Sequence, residues 1–213
     1  YIAWQEFFGP VSQKVHLREI VINQGSRAGD IARLLENMGI IRSKSVFLLL
    51  AKFEGNARSL KAGKYALSPH MDYFEVLDKL EKGKVILRTF TVPEGTTIRK
   101  IAELWEKNGF GEKKDFIQAA RRTELLNELG MNPESLGISN LEGYLFPETY
   151  RFADGTNANK VVNLMFQEFC KRIRKIKVED RDIEMSIHEI VTLASIIESE
   201  VQVDEERTII SVV

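Results

Sequence analysis

Five positions recur at a constant offset of 70 residues: Gly25, Ile31, Ala32, Leu34 and Gly39 reappear as Gly95, Ile101, Ala102, Leu104 and Gly109. A repeat in register asks each copy to build the same supersecondary unit. In each copy an extended apolar segment, Arg18 to Ile22 or Leu87 to Val92, runs into a glycine turn and then a helix. The first helix is predicted to bury Ile31, Leu34, Leu35 and Met38, and the second Ile98, Ile101, Ala102 and Trp105, in amphipathic spacing. Gly39 and Gly109 stand where a left-handed cap ends a helix. A second helix follows in each copy, Ser43 to Phe53 and Lys114 to Arg122. Next comes a second strand, Leu60 to Tyr65 and Leu141 to Tyr144, each closed by a proline, Pro69 or Pro147. A further helix is opened by Asp72 with Glu75 in capping-box spacing, and in the second copy by Asn157 to Asn159. The expectation is two related strand-helix-helix-strand-helix units, the second with an insertion near Gly130 to Ser139. The same pattern also marks where unrelated helices begin and end, so duplication rests on the matches in register.

The final helix is signalled by a Ser186/Glu189 capping box with Met185 and Ile190 as its staple. Its apolar stripe, Ile190, Val191, Leu193, Ala194, Ile197 and Val201, is predicted to be buried. Glu198 and Glu200 flank that stripe about 160° apart at the helical pitch, so they cannot share one site, and geometry does not choose between them. A carboxyl at an apolar edge can be desolvated and held protonated, which a general acid for glycoside cleavage requires. Solvated surface is the plainer reading of both. The second candidate is Leu141 to Tyr150, where Glu142, Tyr144, Phe146, Glu148 and Tyr150 gather round a glycine and a proline. Such a segment suits a wall for a sugar ring; it equally suits a buried strand and turn. The basic run Lys171 to Lys177 reads as a solvated helix end with Ile173 and Ile176 facing the core, and Cys170 as a small core residue.

Composition narrows the classes. The chain of 213 residues carries 30 basic and 31 acidic residues, so no global field draws it to nucleic acid. One cysteine builds no disulfide framework, and His16, His70 and His188 lie too far apart for ligand spacing, so no metal or cofactor is called for. The longest apolar run, Val46 to Ala51, is far short of the ~20 residues that span a bilayer.

Taken together, Leu193-Ala194-Ser195-Ile196-Ile197-Glu198-Ser199-Glu200 and Leu141-Glu142-Gly143-Tyr144-Leu145-Phe146-Pro147-Glu148-Thr149-Tyr150 resemble the two signatures of the YceG-like endolytic murein transglycosylases. Leu60-Lys61-Ala62-Gly63-Lys64-Tyr65 and Val92-Pro93-Glu94-Gly95 resemble two further family segments, and the likeness runs from about Val21 to Val213. It implies an α+β fold in two parts: a LysM-like module with a short lead-in over residues 1–88 and a larger mixed α+β catalytic domain over 89–213. It also implies a lyase that cleaves the MurNAc-GlcNAc bond of peptidoglycan and leaves 1,6-anhydro-MurNAc ends, terminating or trimming nascent glycan strands. The family's catalytic glutamate carries over to Glu200, with Glu142, Tyr144, Glu148 and Glu198 as substrate-cleft residues and no metal or cofactor. Its partners are glycan strands and cell-wall synthesis proteins, with no nucleic acid. Its place is the bacterial inner membrane, held by a single-pass anchor outside this chain, with this region on the periplasmic or extracytoplasmic side. Both ends read as cut, since an anchor or signal is expected before Tyr1 and the family's D-P-T segment after Val213. A non-catalytic peptidoglycan-binding or scaffold module, and a hydrolase leaving reducing ends, are the competing expectations.

Overall fold

Each amphipathic stripe closes a core of its own. The structure, a computed structural model, describes residues 9–12, 16–54, 59–179 and 185–200, with side chains described outside 177–179 and 199–200. The chain is mixed α+β and divides into two compact units, residues 1–88 with 153–155, and residues 89–152 with 156–213.

In the first unit β1 (Arg18–Ile22) pairs antiparallel with β2 (Gly63–Leu67), Ile20 opposite Tyr65 and Ile22 opposite Gly63. The pleat puts Ile20, Ile22, Tyr65 and Leu67 on one buried face. Helix α1 (Ala28–Asn37) covers that face with Ile31, Ala32 and Leu35, and Leu34 and Met38 pack at the core's margin. It stops at Gly39, whose φ is +61°. Helix α2 (Lys44–Phe53) adds Phe47 and Ala51. Helix α3 (Tyr73–Lys82) begins with the predicted capping box: the Glu75 N–H donates to Asp72 Oδ1 at 2.8 Å and the Asp72 N–H to Glu75 Oε2 at 3.0 Å. Lys64 Nζ lies 2.6 Å from Glu19 and 3.2 Å from Asp154, and this pairing holds its pKa above the usual lysine value.

The second unit holds β3 (Leu87–Thr91) from residue 89 on, α4 (Ile98–Lys107), α5 (Lys113–Ala119), a 3₁₀ segment (Thr123–Leu129), β4 (Thr149–Ala153) up to residue 152, α6 (Ala158–Glu179) and α7 (Ile187–Glu200). β3 and β4 form its sheet, the Val92 N–H donating to the Glu148 carbonyl at 3.1 Å and the Thr91 and Thr149 hydroxyls meeting at 3.0 Å. The core gathers on Trp105, whose ring centre lies 5.1–5.9 Å from those of Phe90, Phe110, Phe116 and Phe152. Asn157 Oδ1 accepts from the Lys160 N–H at 3.0 Å and caps α6, which buries Val161, Val162, Met165, Phe166 and Cys170. Among the described residues, no helix is long and apolar enough to cross a membrane.

Three expectations are corrected. The second strand of this unit is Thr149–Ala153, after Pro147, because Tyr150 and Phe152 alternate inward there while Leu141 to Tyr144 folds as a turn. The stripe of α7 is covered only at its start: Ile190 and Val191 pack on the core, but Leu193 is 42% and Ile196 53% exposed, and Val201 lies outside the described residues. On α6, Ile173 is buried as expected while Ile176 is 44% exposed. A stripe sets which side chains share a face, and burial needs an element opposite.

Candidate functional site

Within the second unit a cavity of about 410 Å³ opens between the Pro93–Thr97 turn, the start of α4 and the Leu141–Pro147 turn, with Ser195 and Glu198 of α7 on its remaining side. Its wall is built by short-range bonds. Asn140 Oδ1 accepts from the Glu142 N–H at 2.8 Å, and the Tyr144 N–H donates to the Leu141 carbonyl at 3.0 Å. The Leu141 N–H donates to the Ala120 carbonyl at 2.8 Å and pins the turn to the end of α5.

The candidate residues take different places. Both carboxylate oxygens of Glu142 accept from the Ile98 N–H at 3.1 Å, while Thr97 Oγ1 accepts from the Lys100 N–H at 3.4 Å. Glu142 thus caps α4 from 44 residues away, a negative charge at the positive end of the helix dipole, and lines the cavity as it does so. Glu198 also lines the cavity, with Oε1 3.7 Å from where a side-chain carbon on Gly95 would stand. Tyr144 does not reach it. At 2% exposure its ring lies 5.4 Å from that of Phe169, its hydroxyl is 2.7 Å from His188 Nδ1, and burial pushes its pKa above the usual tyrosine value. Glu148 lies outside the cavity. It accepts from the Thr149 N–H at 3.0 Å and pairs at 3.4 Å with Arg172, which also donates to Glu168 at 2.7 Å and stands 5.0 Å over the Phe146 ring. Glu200 is the last residue of α7, and its side chain lies outside the described ones.

The cavity is rich in acceptors. The Thr96 hydroxyl donates to the Pro93 carbonyl at 2.6 Å and the Ser195 hydroxyl to the Thr192 carbonyl at 2.8 Å, so both turn lone pairs outward beside two carboxylates. Such a lining suits a ligand that donates many hydrogen bonds, as a polyol does. An apolar groove of about 290 Å³ lies between α6 and α7 and shares Gly143, Leu145, Ser195 and Glu198 with the cavity, so Glu198 borders both. Among the described residues no group of His, Cys, Asp and Glu converges on a metal-sized site.

Sequence reasoning passed over Thr96, Thr97 and His188. The two threonines ahead of Ile98 carry an N-cap signal that could have marked them. His188 carries none, because its partner is 44 residues away.

The chain is 28% identical over 211 residues to an endolytic murein transglycosylase of Streptococcus pneumoniae serotype 2 (strain D39 / NCTC 7466), covering 89% of this chain and 38% of that one. It is 30% identical over 199 residues to an endolytic murein transglycosylase of Bacillus subtilis (strain 168), covering 88% and 55%. It thus spans between about a third and about half of these relatives' length. A 2.6 Å crystal structure of a yceG-like protein from Listeria monocytogenes matches with a TM-score of 0.49 at 28% identity, over 91% of this chain and 67% of that one. The YceG-like family model matches residues 20–213, and the chain belongs to the YceG-like family.

Proposed function

We propose that the chain belongs to an endolytic peptidoglycan lytic transglycosylase and that residues 89–213 form its catalytic domain. The observation that carries the reading is the acceptor-rich cavity, where the helix bearing Glu198 and Glu200 meets the Glu142 wall. Hydroxyls and acetamido N–H groups of a glycan strand supply donors for these acceptors, and the relatives named above are murein transglycosylases.

In this reading protonated Glu200 gives its proton to the glycosidic oxygen between MurNAc and GlcNAc, and the bond from that oxygen to the MurNAc C1 breaks. The ionised carboxylate then takes the proton of the MurNAc 6-hydroxyl, whose oxygen bonds to C1 and closes the 1,6-anhydro ring. No water is consumed and one acid serves both steps, unlike the paired carboxylates of ordinary glycosidases. Glu142 and Glu198 bind hydroxyls of sugar rings in the cavity, apart from the ring at Glu200, which lies about 160° from Glu198 around the helix, while Tyr144 and Glu148 support the cavity wall. Residues 1–88 act as a LysM-like module, and the two units descend from one duplicated strand-helix-helix-strand-helix element. The whole protein works on the extracytoplasmic side of the inner membrane, beside cell-wall synthesis proteins, held by an anchor outside this chain.

A second reading makes Glu198 the acid, because its carboxylate borders the cavity. The test is a digest of purified peptidoglycan by the parent, Glu200→Gln and Glu198→Gln, with products weighed by mass spectrometry. Anhydro-ended fragments from the parent and Glu198→Gln, and none from Glu200→Gln, support the first reading. The reverse pattern supports the second. Products gaining one water per cut mark a hydrolase. Binding to sacculi without cleavage by any of the three marks a scaffold module.

A further inference from the structure

We infer that His188 is a positioning residue of this site, acting through Tyr144 to hold the Glu142–Gly143–Tyr144 turn against the helix that carries Glu198 and Glu200. The inference rests on the cleavage reading above.

The three residues of the turn each engage a different partner. Glu142 takes the first N–H of α4 with both carboxylate oxygens at 3.1 Å. Gly143 approaches α7 so closely that a side-chain carbon there would stand 2.8 Å from Val191 Cγ1. Tyr144 meets His188 Nδ1 at 2.7 Å, one residue into α7. Burial raises the Tyr144 pKa and keeps the phenol protonated, and in its bond with Nδ1 the donor is set by the imidazole tautomer. Tyr144 is 2% exposed and presents nothing to a ligand, which leaves its hydrogen bond as its polar role.

The placement of this bond gives it leverage. Helix α7 touches the core through Ile187, Ile190 and Val191, and from Thr192 to Ile196 its side chains are exposed. Glu198 follows His188 by ten residues, about 15 Å along the axis at the helical rise. A tilt of about 5° at the anchored end therefore displaces Glu198 by about 1 Å, and a misplacement of that size costs up to about a hundredfold in rate. The turn and the helix both line the cavity, so the bond that joins them fixes how these two walls meet.

The experiment measures kcat and KM of peptidoglycan cleavage for the full chain and for Tyr144→Phe, His188→Ala, His188→Asn and the Tyr144→Phe/His188→Ala pair. Each of the first two lowers kcat roughly tenfold or more with KM within about threefold. The double variant is no worse than either single, as groups in one bond behave. His188→Asn, which offers an amide oxygen near the place of Nδ1, recovers most of the rate. Val161→Ala, a core truncation on α6, lowers the melting temperature without lowering kcat. Additive losses, no rescue by asparagine, or an equal kcat loss in Val161→Ala overturns the inference. If the parent releases no anhydro-ended fragments, the cleavage reading fails separately. The positioning role is then read by NMR: Tyr144→Phe must move the His188 ring nitrogens together with the Ser195 and Glu198 amide resonances. Ser195 and Glu198 signals that stay in place overturn it.

Discussion

Replacing Gly143 by alanine tests how tightly the cavity wall is fitted to α7. The residue has a φ of +81°, and a Cβ there meets Val191 Cγ1 at 2.8 Å. An L-residue in that conformation costs about 1–2 kcal/mol, and forcing a carbon into packed space costs about 1–3 kcal/mol more. The expected loss of stability is therefore about 2–5 kcal/mol from these two terms. Gly130 separates them, since its φ is +71° but nothing stands within 4 Å of a Cβ there. Gly130→Ala should lose only the backbone term, about 1–2 kcal/mol. The assay is urea unfolding followed by Trp105 fluorescence in a Trp4→Phe background, because the chain has two tryptophans and Trp105 sits at the core of this unit. Adding Val191→Ala to Gly143→Ala removes the colliding methyl and should leave the pair less destabilised than the sum of the singles. Gly143→Ala and Gly130→Ala losses within about 0.5 kcal/mol of one another, the usual noise of additivity, would refute the close fit.

Other expectations follow from single side chains. Asp72→Ala removes one half of a capping box and should cost about 1 kcal/mol, read from the unfolding of the first unit; a loss below a few tenths contradicts that role. Cys170 is 1% exposed and burial pushes its thiol pKa up. A disulfide reagent should therefore label it far more slowly in buffer than in urea, and equal rates would show that α6 is not packed as described. Glu168 is held below the usual glutamate pKa, first by its bond from Arg172 and then by Lys171. Its contribution is therefore present above the unfolded value of about 4.3 and is lost as pH falls through the lower folded value. The urea midpoint of Glu168→Gln should fall less steeply than the parent's on acidification, and parallel curves would contradict the assignment.

Features that depend on neighbours a few residues apart could be read from the chain alone. The capping boxes Asp72/Glu75 and Ser186/Glu189 are both present, the Ser186 N–H donating to Glu189 at 2.8 Å. The stripes of α1 and α4 face their cores, and Gly39 and Gly109 take positive φ where the helices stop. These signals hold because a helix brings i, i+3 and i+4 together whatever surrounds it. Leu141 to Tyr144 reads as a strand or as a wall. Its fate as a turn depends on the Ala120 carbonyl and the Ile98 N–H, both more than 20 residues distant in sequence. The same distance hid what Glu142 and Tyr144 do, although the residue types had drawn notice. It hid the part His188 plays beyond its lack of ligand spacing, because a lone histidine acquires meaning only from the hydroxyl that the fold sets beside it. The apolar stripe of α7 was legible and its exposure was not. Periodicity is a property of one helix, whereas burial belongs to the pair of surfaces that meet.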